Sequence, residues 1–138
     1  MKLIQFILLI VVVLLTSCSS KQTVKSDEMV LPKPGQIGIY YFRTPLHCET
    51  CDAIEKLIAD ELAGKYADQV NEGKIVFRQY NLDDPGVADF ALKFDVVFKS
   101  VILLKDDQKN DLTNDLFLYI LPKPEKARKQ FEESLDKL

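Results

Sequence analysis

His47-Cys48-Glu49-Thr50-Cys51 holds the most reactive side chains in this sequence, two thiols separated by two residues. Arg43-Thr44-Pro45-Leu46 reads as a loop ahead of them. Beyond them Ile54, Leu57, Ile58, Leu62 and Tyr66 continue a stripe begun at Cys51, with the 3.6-residue period of an amphipathic helix. The pair therefore stands where a strand gives way to a helix. Cysteines three apart at a helix start lie about one turn apart on one face, within disulfide reach. The partial positive charge of a helix N-terminus favours a thiolate, which marks Cys48 as the exposed attacking sulfur. Cys51 opens the buried stripe and there would resolve a mixed disulfide. Glu49 sets a negative charge beside Cys48 and opposes the dipole, pointing to a reducing or intermediate potential; a protonated His47 would pull the other way. A general base and a solvent-facing loop residue are both open roles for His47.

The pair has two other uses. A structural staple suits an exported chain, although so small a loop constrains little of the unfolded state. Half a zinc site would need two further ligands. The sequence has no second cysteine pair and no distant histidine, and His47, Glu49 and Asp52 are poorly placed to complete a tetrahedron. Neither a metal nor a cofactor is expected.

The elements that must position the pair follow from pattern. Gln36-Ile37-Gly38-Ile39-Tyr40-Tyr41-Phe42 predicts a strand buried on both faces. A helix is expected over 48–70, stopped by Asn71-Glu72-Gly73-Lys74, then a second strand over 75–82. Asp83-Asp84-Pro85-Gly86 turns the chain into a short helix carrying Val87, Ala88, Phe90, Ala91 and Phe94. Residues 100–104 predict a third strand and 106–110 a polar turn. Residues 112–121 fit a strand or a helical turn equally. Pro124 opens a last helix bearing Ala127, Phe131, Leu135 and Leu138. Crossover helices force the first strands to run parallel. Tyr40, Tyr41, Phe42, Phe77 and Phe98 read as core and sheet residues.

At 138 residues, 47% apolar and 28% charged, the chain suits one ordinary domain and is neither disordered nor collagen-like. A net charge of -3 gives no basic footprint for nucleic acid. Three cysteines are too few for a disulfide scaffold. Lys2 and the apolar run from Leu3 to Leu15, broken only by Gln5, have the form of a signal peptide over 1–17. A spanning helix needs about 20 apolar residues, so the run is too short to cross a bilayer. Leu15-Thr16-Ser17-Cys18 resembles the bacterial lipobox. The resemblance implies a lipid-anchored, acylated Cys18 facing the extracytoplasmic or periplasmic side of the cell membrane or outer membrane. Residues 18–36, rich in Ser, Lys and Pro, read as a flexible tether, with a first strand around Met29-Val30-Leu31 as the alternative. The domain then occupies 37–138.

With these elements in order, residues 37–105 resemble a thioredoxin-fold protein. The resemblance implies an α/β fold, a central mixed sheet flanked by helices. The segment from Phe94 to Leu104 lies without gaps over the one that carries the family's cis-proline. Ser100 occupies that position, a trans peptide is the default there, and Ser100 would shape the partner groove. The family's Trp-Cys-Gly-Pro-Cys is absent, and no acid within 37–42 can accept a proton beneath Cys51. The chain is more closely similar to a smaller thioredoxin-like family, the ArsF-type, described as a nitrophenyl compound nitroreductase subunit. It shares Tyr40-Tyr41-Phe42, Cys48-Glu49-Thr50-Cys51-Asp52-Ala53-Ile54-Glu55, Gly73 to Phe77, and Lys99-Ser100-Val101. The expected function is thiol–disulfide exchange with cell-envelope proteins, supplied by a membrane thiol reductant. A metal- or metalloid-binding module and an accessory redox subunit of a reductase complex are the alternatives.

Overall fold

The computed structural model describes residues 29–138; the expected signal peptide and Cys18 lie outside the described residues. In chain order the first elements are β1 (Ile37–Arg43), α1 (Glu49–Ala63), α2 (Ala67–Asn71), β2 (Ile75–Asn81) and α3 (Val87–Leu92). β3 (Ser100–Lys105), β4 (Gln108–Asp111), α4 (Thr113–Tyr119) and α5 (Pro124–Asp136) follow. The strands lie in the order β2-β1-β3-β4. β1 runs parallel to β2, with Ile37 opposite Ile75, as a helical crossover requires. It runs antiparallel to β3, with Phe42 opposite Ser100.

Alternation along β1 divides the interior in two. Side chains of successive strand residues face opposite ways. Ile39 and Tyr41 therefore join Val101 and Leu103 under Ile54 and Ile58 of α1, Leu116 of α4, and Phe131 of α5. Tyr40, Phe42, Ile102 and Leu104 face the other way and pack with Tyr80, Val87, Phe90 and Ala91. On this second side Tyr40, Phe42, Tyr80, Phe90 and Phe94 form a continuous set of ring contacts. Both faces of β1 are covered, so the apolar run without alternation is accounted for.

Two expected elements differ from those observed, and one left open is settled. The helix expected over 48–70 is two helices. Its first part ends at Gly64, whose N–H bonds to the carbonyls of Asp60 and Glu61. The turn carries Tyr66 inward, where its hydroxyl donates to Asp136 Oδ1 at 2.8 Å. Lys65 beside it reaches Glu132 and Asp136 at 2.8 and 2.9 Å. The ambiguous stretch over 112–121 is helical in α4, and a fourth strand lies just before it, overlapping the expected polar turn. Asp106, at φ 50°, turns β3 back on itself. β4 then adds a polar edge strand whose Lys109 bonds to the Phe94 carbonyl and to Asp95. A charged edge blunts unwanted strand pairing and leaves no apolar pattern to read.

Residues 29–36 form no strand. They are fastened to the domain at three points. Tyr40 Oη donates to the Val30 carbonyl at 2.7 Å, Gly35 N–H donates to Asp106 Oδ1 at 2.8 Å, and Gln36 Nε2 donates to the Gly73 carbonyl at 2.7 Å. Among the described residues no helix is long and apolar enough to cross a membrane.

Candidate active site

β1 delivers the chain to the upper edge of the sheet, and residues 44–48 carry it over to the start of α1. Cys48 caps that helix. Its backbone is extended (φ −145°, ψ 147°), its sulfur accepts the Cys51 N–H at 3.2 Å, and its carbonyl accepts the Asp52 N–H at 3.0 Å. Caps usually offer oxygen to the free amides of the first turn; here a sulfur does so, next to the positive end of the helix dipole. Cys48 and Cys51 are joined as a disulfide, with Cα atoms 5.1 Å apart. Their exposures differ. Cys48 is half-buried, whereas Cys51 is only 7% exposed and sits at the edge of the core. An incoming sulfur can therefore approach Cys48 while Cys51 stays covered.

The flanking residues lie on the outside. Glu49 is exposed in the first turn of α1. His47 is exposed and turned to Asp52, Nδ1 to Oδ1 3.4 Å, an open pair that holds little energy. Ser100, the first residue of β3, is buried, and its hydroxyl donates to the Phe98 carbonyl at 2.9 Å. All described peptide bonds are trans. Phe98 is not in the core, contrary to the expectation. It precedes the point where β3 joins the sheet and is 60% exposed, next to Val97 at 69%. Leu46, two residues before Cys48, is 76% exposed, and Val97 and Phe98 directly precede Lys99, which reaches Cys51 Sγ. Phe98 also lines an open groove of about 590 Å³ with Thr44, Leu82, Leu92 and Val96.

Beneath Cys51 lies a phenol, not a carboxylate. Tyr41 is fully buried and its hydroxyl donates to the Cys51 carbonyl over 3.4 Å. Burial, and then the nearby Glu55 charge, push its pKa up to about 12, so it stays neutral. Glu55 itself is held by Arg43 Nη1 at 3.1 Å and Gln79 Nε2 at 3.0 Å. Among the described residues, no three of His, Cys, Asp and Glu gather as a metal cage.

Sequence reasoning missed Lys99. Its ammonium lies 3.4 Å from Cys51 Sγ and donates to the Leu46 carbonyl at 3.1 Å. The signal for it was a lone charge between the apolar runs Val96-Val97-Phe98 and Val101-Ile102-Leu103-Leu104, directly before Ser100.

A parallel β1–β2 pair, an antiparallel β3–β4 pair, and a cysteine pair at the start of the first helix now stand together. The fold is thioredoxin-like. No family model and no curated protein matches the chain. Solved structures similar to it include oxidised thioredoxin O2 from Arabidopsis thaliana, at 19% identity and a TM-score of 0.43. That match covers 55% of this chain and 60% of the thioredoxin, so the chain spans less than two thirds of that relative. A malarial protein is similar at 23% identity and a TM-score of 0.42, over 60% of this chain and 91% of the other.

Proposed function

We propose that this protein is a membrane-tethered thiol–disulfide oxidoreductase in which Cys48 exchanges with a partner's sulfur and Cys51 resolves the mixed disulfide. The observation that carries the reading is the inequality of the two cysteines, Cys48 half-buried at a helix N-terminus and Cys51 buried behind it. A partner thiolate attacks Cys48 Sγ, the Cys48–Cys51 bond breaks, and its electron pair stays on the Cys51 sulfur. A second thiol of the partner, deprotonated, then attacks the mixed disulfide and releases Cys48 as a thiolate. The partner leaves as a disulfide, having given two electrons. Run backwards, the same steps reduce a partner disulfide. The exposed apolar surface of Leu46, Val97 and Phe98 suits a polypeptide partner. A lipidated Cys18 would hold the domain on the extracytoplasmic side, between a membrane thiol reductant and its cell-envelope protein substrates.

Trapping tests the reading. Cys51→Ser cannot resolve, so it should accumulate mixed disulfides through Cys48 with cell-envelope proteins, seen as bands that vanish on reduction. Cys48→Ser should accumulate none. Absence of such bands from the Cys51→Ser variant removes the main support. Lys99-Ser100-Val101, shared with the ArsF-type resemblance, runs beside the disulfide and favours a second reading as an accessory subunit of a reductase complex. There, a double replacement of Cys48 and Cys51 leaves the complex active, whereas the first reading requires its loss.

A further inference from the structure

We propose that Lys99 is the electrostatic partner of the Cys51 sulfur, receiving the charge that arrives there when the disulfide is opened at Cys48. The inference rests on the thiol–disulfide reading above and adds a residue to it. A lysine on a loop ordinarily extends its ammonium into water. Lys99 does the opposite. Its neighbour Phe98 is 60% exposed, while Lys99 Nζ lies 3.4 Å from the sulfur of Cys51, a residue only 7% exposed, and donates to the Leu46 carbonyl. The Leu46 contact ties the loop before α1 to the segment before β3, so the ammonium spans the two chain segments that frame the disulfide.

The two redox states reward this contact unequally. A disulfide sulfur is neutral and a weak acceptor, so the oxidised form gains little from it. A thiolate at the same place accepts a charge-assisted hydrogen bond. When a thiolate attacks Cys48, one S–S bond forms and one breaks, and the electron pair rests on Cys51 with no proton transferred. Lys99 keeps its proton throughout and makes Cys51 the better leaving group. In the reverse direction it raises the thiolate fraction of the resolving sulfur. Other polar groups near Cys51 do not serve this role. Tyr41 is a neutral phenol, Glu55 is occupied by Arg43 and Gln79, and His47 and Asp52 face each other on the exposed side.

The test compares the full chain with its Lys99→Met and Lys99→Arg variants in dithiothreitol redox buffers at pH 7. The reduced fraction is read by alkylation and mass shift, and the rate of disulfide opening is followed in parallel. Lys99→Met should shift the equilibrium toward the disulfide by roughly tenfold, about 30 mV for a two-electron couple, and slow opening by about threefold. Lys99→Arg, which keeps the charge, should stay near the parent. Circular dichroism confirms the fold, and Lys99→Gln replaces the methionine variant should that one fail to fold. An unchanged equilibrium and rate in a folded Lys99→Met protein overturns the role of Lys99 and leaves the oxidoreductase reading standing. Equal losses in the Met and Arg variants overturn it too, because the Leu46 tether and not the charge would then matter. A parent disulfide that dithiothreitol cannot open defeats both proposals.

Discussion

Reducing Cys48–Cys51 should destabilise the domain by no more than about 1 kcal/mol, and the Lys99 contact proposed above, worth about 1.4 kcal/mol to a Cys51 thiolate at a tenfold effect, brings the change near zero. The bond closes a loop with a sequence separation of 3, for which the chain-entropy relation gives about 1.6 kcal/mol at 25 °C. Part of that is recovered in the folded, reduced protein. A Cys48 thiolate still accepts the Cys51 N–H at the cap and gains from the helix dipole, about 0.3–1 kcal/mol. By thermodynamic linkage, the remainder is also the gap between the disulfide's potential in the folded and the unfolded chain. One kcal/mol corresponds to about 20 mV. A structural staple behaves differently, since its loss typically costs about 2–5 kcal/mol. The assay is urea unfolding with and without dithiothreitol, extrapolated linearly to water. The chain has no Trp, so far-ultraviolet circular dichroism is the probe. A loss of 3 kcal/mol or more on reduction would refute this reasoning and restore the structural role.

Replacing Glu49 with Gln should make the disulfide easier to reduce, by up to roughly fivefold in glutathione equilibria. Its exposed charge opposes a thiolate at Cys48, and exposed charges interact weakly; an unchanged or lower potential contradicts the effect. Alkaline unfolding should begin above pH 10. Burial first, and then neighbouring charge, raise Tyr40 and Tyr41 to about 12. The stability they contribute is whole below the unfolded value near 10 and is lost as pH rises through 12. Absorbance at 295 nm should show these phenols ionising late, together with unfolding; early titration of all five Tyr residues contradicts it.

What the sequence revealed and what it concealed divide by the range of the interaction. β1 was legible because a strand buried on both faces must be apolar throughout, and the stripe from Cys51 to Tyr66 because a helix repeats every 3.6 residues. Pro124 marked the last helix. The cysteine pair was readable because its two members lie within one turn. β4 was silent, since an exposed edge strand needs no apolar face. Nothing in the pattern of α1 sets Glu61 apart, yet it is buried and paired with Arg128, 67 residues away on α5. Lys99 is the same case at the site, its partner Cys51 lying 48 residues earlier. Phe98 read as sheet because nothing local marks where β3 enters its register. No periodicity encodes such contacts; the fold creates them.

Differential alkylation of the freshly reduced protein tests the central claim most directly. With limiting iodoacetamide at pH 7, peptide mass spectrometry should find Cys48 modified at least about tenfold faster than Cys51, because it is the more exposed sulfur on the helix N-terminus. Equal rates at the two positions, or faster labelling of Cys51, would contradict the division of labour from which the proposed function is built.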